Sequence, residues 1–396
     1  MDKFSRVPSP ADFAEMVRKA FEAAGIPGFE YREADFALKM AGRDTTIFLT
    51  NSYASYRSLP RNKRQEVIAK LVAGFGAIPE LPKDFASAKP HLMPAVRDAA
   101  YESLSLLVSG KGERDPAFEW PSKALVGNLI VGPVYDTEHS ITTVNRETLS
   151  DWGVGLEEAL AVAKENLWDR TDPSRLTGQG GVYWGEWGDS YDSSRVLLTE
   201  FIYRLEVDGD PVAFVPNRDS LMITGKHNIA GLRVILKAGA ESHFKAGHPV
   251  SPDLFVLDDG VWKTYIPEDP SLREIWRATK QNRDALDYAQ QKEALDQLPD
   301  REDVFIANYM VFQREDGSKF SACVWPKDVD TSLPGAEFVG FVLDAEGNDR
   351  FMVPWDEAVS VVGGLLEQEP GLIPVRYRVR QSPDDGQIAR LRQLAR

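Results

Sequence analysis

An α+β fold, with mixed or antiparallel sheets packed by helices and a smaller C-terminal α+β domain, follows from three observations. Short β-prone runs come in pairs joined by turn residues, as at Asp258-Asp259-Gly260 and Glu315-Asp316-Gly317, which favours hairpins over parallel crossovers. Between them lie stretches with apolar residues at helical spacing. A strongly charged segment, Glu268–Asp303, then separates the final block from the rest. With 43% hydrophobic and 27% charged residues among 396, the chain has ample material for a core and the balance of a soluble globular protein.

The first block, residues 1–120, opens with an amphipathic helix over Pro10–Ala24. Phe13, Val17, Ala20 or Phe21, and Ala24 form its stripe, and Gly25 stands where a C-terminal cap belongs. Strands are expected at Phe29–Arg32, Phe36–Met40 and Thr45–Thr50, the last two separated by the turn residues Gly42-Arg43-Asp44. Helices follow at Lys63–Gly74, with Val67, Leu71 and Phe75 four apart, and at Pro94–Val108; Lys111–Glu119 reads as a surface loop.

The central block, residues 121–267, begins with the apolar run Ala124–Val131 and a strand at Ile141–Val144. Asn145 is placed to cap a short helix closed by Asp151-Trp152-Gly153. In the next helix Glu157 and Glu158 suit the positive end of the dipole, while Leu156, Leu160, Ala163 and Leu167 form its buried face. Thr171–Gly188 is rich in Gly and Trp and reads as a loop with at most a short strand; Ser194–Leu205 reads as a helix. Paired strands at Pro211–Val215 and Leu221–Thr224, a helix at Ile229–Ala240 and a hairpin of Leu254–Leu257 with Val261–Tyr265 complete the block.

Residues 268–303 are expected to form a charged helical linker. The last block, 304–396, should hold a hairpin of Val304–Gln313 with Ser318–Trp325, strands near Glu337–Leu343 and Phe351–Val353, a helix over Asp356–Glu367, a strand at Val375–Arg380 and a terminal helix from Asp384.

Four segments occur in an order that resembles the YtpQ-like bacterial family, a group defined by sequence and lacking an assigned function. They are Thr46–Tyr56 with Asn51-Ser52-Tyr53; Thr142–Leu167 with Trp152-Gly153 and Asn166-Leu167; Tyr191–Leu198; and Val215–Ile223 with Pro216-Asn217-Arg218-Asp219. The resemblance spans roughly residues 10–265; the insert Thr177–Gly188 and the block after about residue 300 lie outside its pattern. It implies an architecture and a bacterial cytoplasmic setting, and no reaction.

The net charge of −15 argues against nucleic acid as a partner, because phosphate contacts require clustered Lys and Arg. Apolar runs such as Leu125–Val131 and Ala358–Leu366 fall well short of the ~20 residues that cross a bilayer, and Met1-Asp2-Lys3-Phe4 does not open a secretory signal. Cys323 is the only cysteine, so no intramolecular disulfide forms and a cysteine metal cluster is excluded, in keeping with a cytoplasmic protein. In the alternating run Phe320–Trp325 this thiol reads as a packing residue.

No cofactor or metal is implied. Gly225-Lys226, Ser109-Gly110-Lys111-Gly112 and Gly178–Gly185 lack the spacing by which successive backbone amides encircle phosphate. Asp136, Glu138 and His139 are the nearest approach to a metal-binding loop, and His243 and His248 stand five apart without a further ligand motif.

The candidate surface consists of Asp192, Arg195, Asn217, Arg218 and Asp219, together with Trp184 and Trp187. Asp192 should cap the helix opened by Arg195, and Asn217–Asp219 should turn between strands. If those bends meet, two guanidinium forks face two carboxylates, a set suited to a small carboxylate or phosphate ligand. Trp184 and Trp187 would add an aromatic contact, whereas Trp152 and Trp168 belong to helices and should pack inward. The leading expectation is a non-enzymatic binding or interaction protein with an unidentified protein or small anionic partner. The rival is an enzyme acting on a small anion at the same turns.

Overall fold

The computed structural model describes residues 7–33, 36–41, 46–76, 81–108, 119–137, 140–245 and 248–396. The expected Gly42-Arg43-Asp44 turn, the Ser109-Gly110-Lys111-Gly112 segment, the loop up to residue 118, and Glu138 and His139 lie outside them. The fold is α+β, with five sheets among the described residues. Contacts divide the chain into two compact units: Met1–Arg97 with Asp115–Ile266, and Asp98–Arg114 with Pro267–Arg396.

The first unit begins with α1 (Pro10–Ala23), whose capping box joins Ser9 and Asp12. Strands β1 (Phe29–Arg32), β2 (Ala37–Met40) and β3 (Thr46–Phe48) make an antiparallel sheet. The third expected strand ends early, because α2 (Thr50–Ser58) takes over; its Tyr53 and Tyr56 rings pack on Phe13 at 5.1 and 5.0 Å. With α3 (Arg64–Gly76) and the short α4 (Phe85–Ala88) this portion is complete.

The helix expected over Pro94–Val108 is a strand, β4 (Leu92–Asp98), followed by α5 (Ala99–Val108) of the second unit. Proline has no amide to donate, and β4 lies at the edge of its sheet, where that loss is tolerated. The apolar run after residue 120 is a hairpin, β5 (Lys123–Val126) and β6 (Leu129–Asp136), joined by β7 (Ile141–Thr143). Asn145 caps α6 (Arg146–Asp151) by accepting from Thr148 N at 2.8 Å. In α7 (Leu156–Asp169), Ala159, Leu160, Ala163 and Leu167 are buried as their spacing requires.

Thr171–Gly188 holds a hairpin, β8 (Leu176–Gln179) and β9 (Val182–Gly185). Gly180 and Gly181, at φ 61° and 71°, supply the two left-handed positions that a tight hairpin needs. Where a helix was expected at Ser194–Leu205, a 3₁₀ segment, Ser193–Leu197, precedes α8 (Thr199–Ile202). Tertiary bonds compete with helix formation here: the Val196 carbonyl accepts from Trp262 Nε1 at 2.9 Å, and Ser194 Oγ accepts from Val96 N. Strands β10 (Pro211–Phe214) and β11 (Met222–Gly225) pair as expected, followed by α9 (Ile229–Lys245) and the hairpin β12 (Leu254–Asp258)–β13 (Val261–Tyr265). The six-stranded antiparallel sheet runs β13-β12-β10-β11-β9-β8.

The second unit contains α10 (Pro270–Leu295), the segment read from the sequence as a linker. Its Leu272, Tyr288 and Leu295 are buried, and Arg283 reaches Asp98 at 2.9 Å and Asp287 at 2.6 Å. Strands β14 (Phe305–Ile306), β15 (Met310–Gln313), β16 (Lys319–Pro326), β17 (Thr331–Pro334), β18 (Phe338–Val342), β19 (Arg350–Pro354), β20 (Glu367–Gln368) and β21 (Arg376–Val379) form two mixed sheets, β14-β17-β21-β20 and β15-β16-β18-β19. Helices α11 (Trp355–Val362) and α12 (Asp385–Gln393) pack against the second. Cys323 is wholly buried, which pushes its thiol up to about 12, consistent with a packing residue. No helix among the described residues is long and apolar enough to cross a membrane.

Candidate functional site

Three separate segments of the first unit meet at the bend after β10. Ser193 N donates to Arg218 O at 3.0 Å, and Arg218 N donates to His248 O at 3.0 Å. Asn217 locks the bend: its Oδ1 accepts from Asp219 N at 3.0 Å and its Nδ2 donates to Ser242 Oγ at 2.7 Å. Behind it, His243 Nδ1 lies 2.7 Å from Pro216 O; because a carbonyl only accepts, that nitrogen carries the proton. Val250 N and Ser251 N donate to Pro216 O and Val215 O, fastening the segment that carries His248. The two bends singled out in the sequence thus do fold together.

Their side chains do not all face one site. Arg195 is wholly buried and its N–H groups are committed: Nη1 and Nη2 to Asp189 at 2.9 and 2.7 Å, Nε to Thr171 Oγ1 at 3.0 Å, and Nη2 also to Arg170 O at 3.4 Å. The expectation that it offers a fork to a ligand is corrected. Burial alone would raise the Asp189 pKa, but the Arg195 hydrogen bonds and charge outweigh it and hold the carboxyl low. Asp192 does not cap the following turn either. It is buried and accepts from Trp187 N and Gly188 N, both at 3.2 Å. Burial pushes its pKa up to about 6, with the charge of Asp189 adding to the rise; the two amides and Arg195 oppose it.

The tryptophans are also spoken for. Trp184 is a half-buried residue of β9 and pairs with Met222 of β11 and Thr177 of β8. Trp187 lies under the Arg195 guanidinium, 4.2 Å from ring centre to Cζ, and its Nε1 donates to Asp172 O at 2.9 Å. Neither forms the exposed aromatic loop expected. Trp152 is buried as expected, but Trp168 is 37% exposed, with Arg204 over its ring. Asp136 pairs with Arg170, and no group of three metal-ligating side chains converges among the described residues.

The chain matches no family model, no curated protein and no solved structure.

Arg218 and Asp219 remain at the surface, with side chains 35% and 47% exposed and a local contact of 3.2 Å between them. Beside them stands His248, which adopts a left-handed backbone at φ 57°, uncommon for a residue other than glycine. Burial drives its pKa down to about 4; Arg218 and Arg97 lower it further, while Asp219 pulls the other way. Arg97, at the end of β4, is thus close enough for its charge to bear on the imidazole, and its guanidinium stacks on Trp120 at 4.1 Å. Ser193 Oγ, buried in the turn of residues 191–195, lacks a hydrogen-bond partner among the described residues. Burial, then the negative charge of Asp136, raises the Tyr191 pKa.

Arg97 and His248 were not among the residues singled out for this site. His248 had been weighed only as a metal ligand, and nothing in the sequence ties Arg97 to a bend so far downstream. Val96 N donates to Ser194 Oγ and so brings β4 beside the turn that carries Ser193.

Proposed function

We propose that this chain is a non-enzymatic binding protein of the bacterial cytoplasm that takes a small anion at the bend carrying Arg218 and Asp219. One observation carries the reading: a half-exposed guanidinium stands on backbone bonded on both sides, at Ser193 N and His248 O. A fork presented from fixed backbone loses little freedom on binding, and guanidinium geometry suits a carboxylate or phosphate oxygen pair. The contact with the adjacent Asp219 is exposed and weak, so an anion can compete for Arg218. The four ordered motifs support kinship with the YtpQ-like bacterial family, and the single cysteine fits a cytoplasmic setting.

Calorimetric titration of sodium sulfate at low ionic strength tests this reading. The intact protein should bind saturably, and Arg218→Ala should bind about tenfold to a hundredfold more weakly, the range for a lost hydrogen bond to a charged group. Arg218→Lys should recover part of the affinity, and the melting temperature should hold in both variants. Equal binding by Arg218→Ala, or no saturable binding by the intact protein, would overturn it.

A further inference from the structure

The sheet β15-β16-β18-β19 of the second unit presents two different faces, because successive side chains of a strand point to opposite sides. Cys323, Trp325, Val339, Phe341 and Val353 point into the core that holds α11 and α12. The alternate positions, Phe312, Phe320, Val324, Phe338, Val342 and Met352, share the opposite face. The register sets them side by side, with Phe312 opposite Phe320, Ala322 opposite Phe338 and Gly340 opposite Met352. None of those six side chains is buried, and Phe312 is 43% exposed. Phe312 stacks on Phe320 with ring centres 5.4 Å apart, and Phe338 meets Phe320 edge-on at the same distance. A contiguous apolar patch rimmed by charge marks an interaction site.

The charge on that face has one sign. Arg314 leaves the end of β15 and lays its guanidinium over the rings, with Cζ 4.4 Å from the centre of Phe320 and 5.8 Å from that of Phe338. A guanidinium over a ring keeps its N–H groups, which lie in its own plane, for an acceptor. Among the described residues Arg314 makes no ion pair; Asp316 of the same turn accepts from Ser318 N at 2.9 Å instead. Arg350, exposed at the start of β19 and opposite Val342, makes none either. Arg277, Arg301, Arg378 and Arg392 of the same unit are each bound to a carboxylate. The strand positions of the open face include no Asp or Glu, in a chain that carries −15 overall.

We infer that this face docks an acidic, apolar segment of another protein, its apolar side chains on Phe312, Phe320 and Phe338 and a carboxylate on Arg314. Charge complementarity selects that occupant. A second copy of the chain meeting the face with its own would set arginine against arginine with no carboxylate between them. A nucleic acid strand needs many phosphate contacts, and two guanidinium groups within an acidic chain supply few. A peptide carboxylate asks for one fork, which the rings already hold in place, so little side-chain freedom is lost on binding. The inference stands independently of the Arg218 reading.

The probe is a random peptide library displayed on phage, selected on the full chain and depleted on its Phe312→Ser variant. Selected sequences should combine apolar residues with Asp or Glu. The best of them, synthesised and followed by fluorescence anisotropy, should bind Arg314→Glu about tenfold to a hundredfold more weakly than the parent. Arg314→Lys should recover part of the loss, and Phe312→Ser should cost roughly tenfold. Both side chains are exposed, so the melting temperature should hold in all three variants. Binding should weaken as sodium chloride rises from about 0.05 to 0.5 M, because the ion pair is screened. A library that yields no clone dependent on Phe312, or clones without acidic residues that bind Arg314→Glu as well as the parent, would overturn the inference. Two other results would also sink it. A dimer in sedimentation that Phe312→Ser dissociates would assign the face to a second copy, and oligouridylate binding lost in Arg314→Glu would assign it to single-stranded nucleic acid.

Discussion

Arg195 and Arg218 have the same chemistry and opposite fates. The first is wholly buried with its donors bound; the second is half-exposed on a bend. Replacing Arg195 by Met should cost about 3 kcal/mol in urea unfolding, because Asp189 loses its buried partner, and should leave sulfate affinity unchanged. Selective loss of sulfate binding in a fully stable variant would contradict that assignment. Residue types alone could not separate the two, since the partners that consume Arg195 include Thr171 and the Arg170 carbonyl, far upstream. The titrating groups divide by sign. His248 has a depressed folded pKa, so its support is present above about 6.5 and is lost as pH falls towards 4. Asp192 has a raised folded pKa, so its support is complete below 3.8 and is lost as pH rises through about 6. Melts across this window should show His248→Asn losing less stability on acidification than the parent and Asp192→Asn losing more; identical profiles for all three proteins would contradict both assignments.

Elements were legible where local chemistry decides. The Asp258-Asp259-Gly260 turn, the Asn145 cap and the face of α7 each needed only neighbouring residues. They were misread where a distant partner decides: Pro94 sits in an edge strand, and the run after Ser193 gives a carbonyl to Trp262 instead of continuing as a helix. Gly239 of α9 shows the same contest within one residue. Alanine is the better helix former by about 1 kcal/mol. A Cβ there, however, would lie 2.1 Å from the Phe214 ring of β10, so the helix or strand would have to shift. Gly239→Ala should therefore destabilise by about 1–3 kcal/mol in thermal or urea unfolding; a stabilised variant would show that α9 can move off the sheet without cost.

On the scale of the whole molecule, the second unit is discontinuous, and only the fold reveals why. Arg283 of α10, 10% exposed, pairs with Asp98, 4% exposed, while Ser103 of α5 donates to Gly371 O and accepts from Ile373 N. A fragment of residues 267–396 lacks those partners. The buried pair alone is worth about 3–5 kcal/mol when broken, a large part of a typical domain stability. Circular dichroism should show that fragment melting without a cooperative transition; a sharp melt would mean that α10 and the sheets suffice. The charged composition of 268–303 suggested a linker because the buried partners of its Arg and Gln side chains lie elsewhere in the chain. For the first unit, the central claim is that a small oxyanion binds at the exposed Arg218 guanidinium. The most direct measurement is the Arg218 Nε–H resonance followed by NMR through a sulfate titration at pH 5.5. The account predicts a saturable shift of that resonance; an Arg218 signal unmoved by saturating sulfate would contradict it.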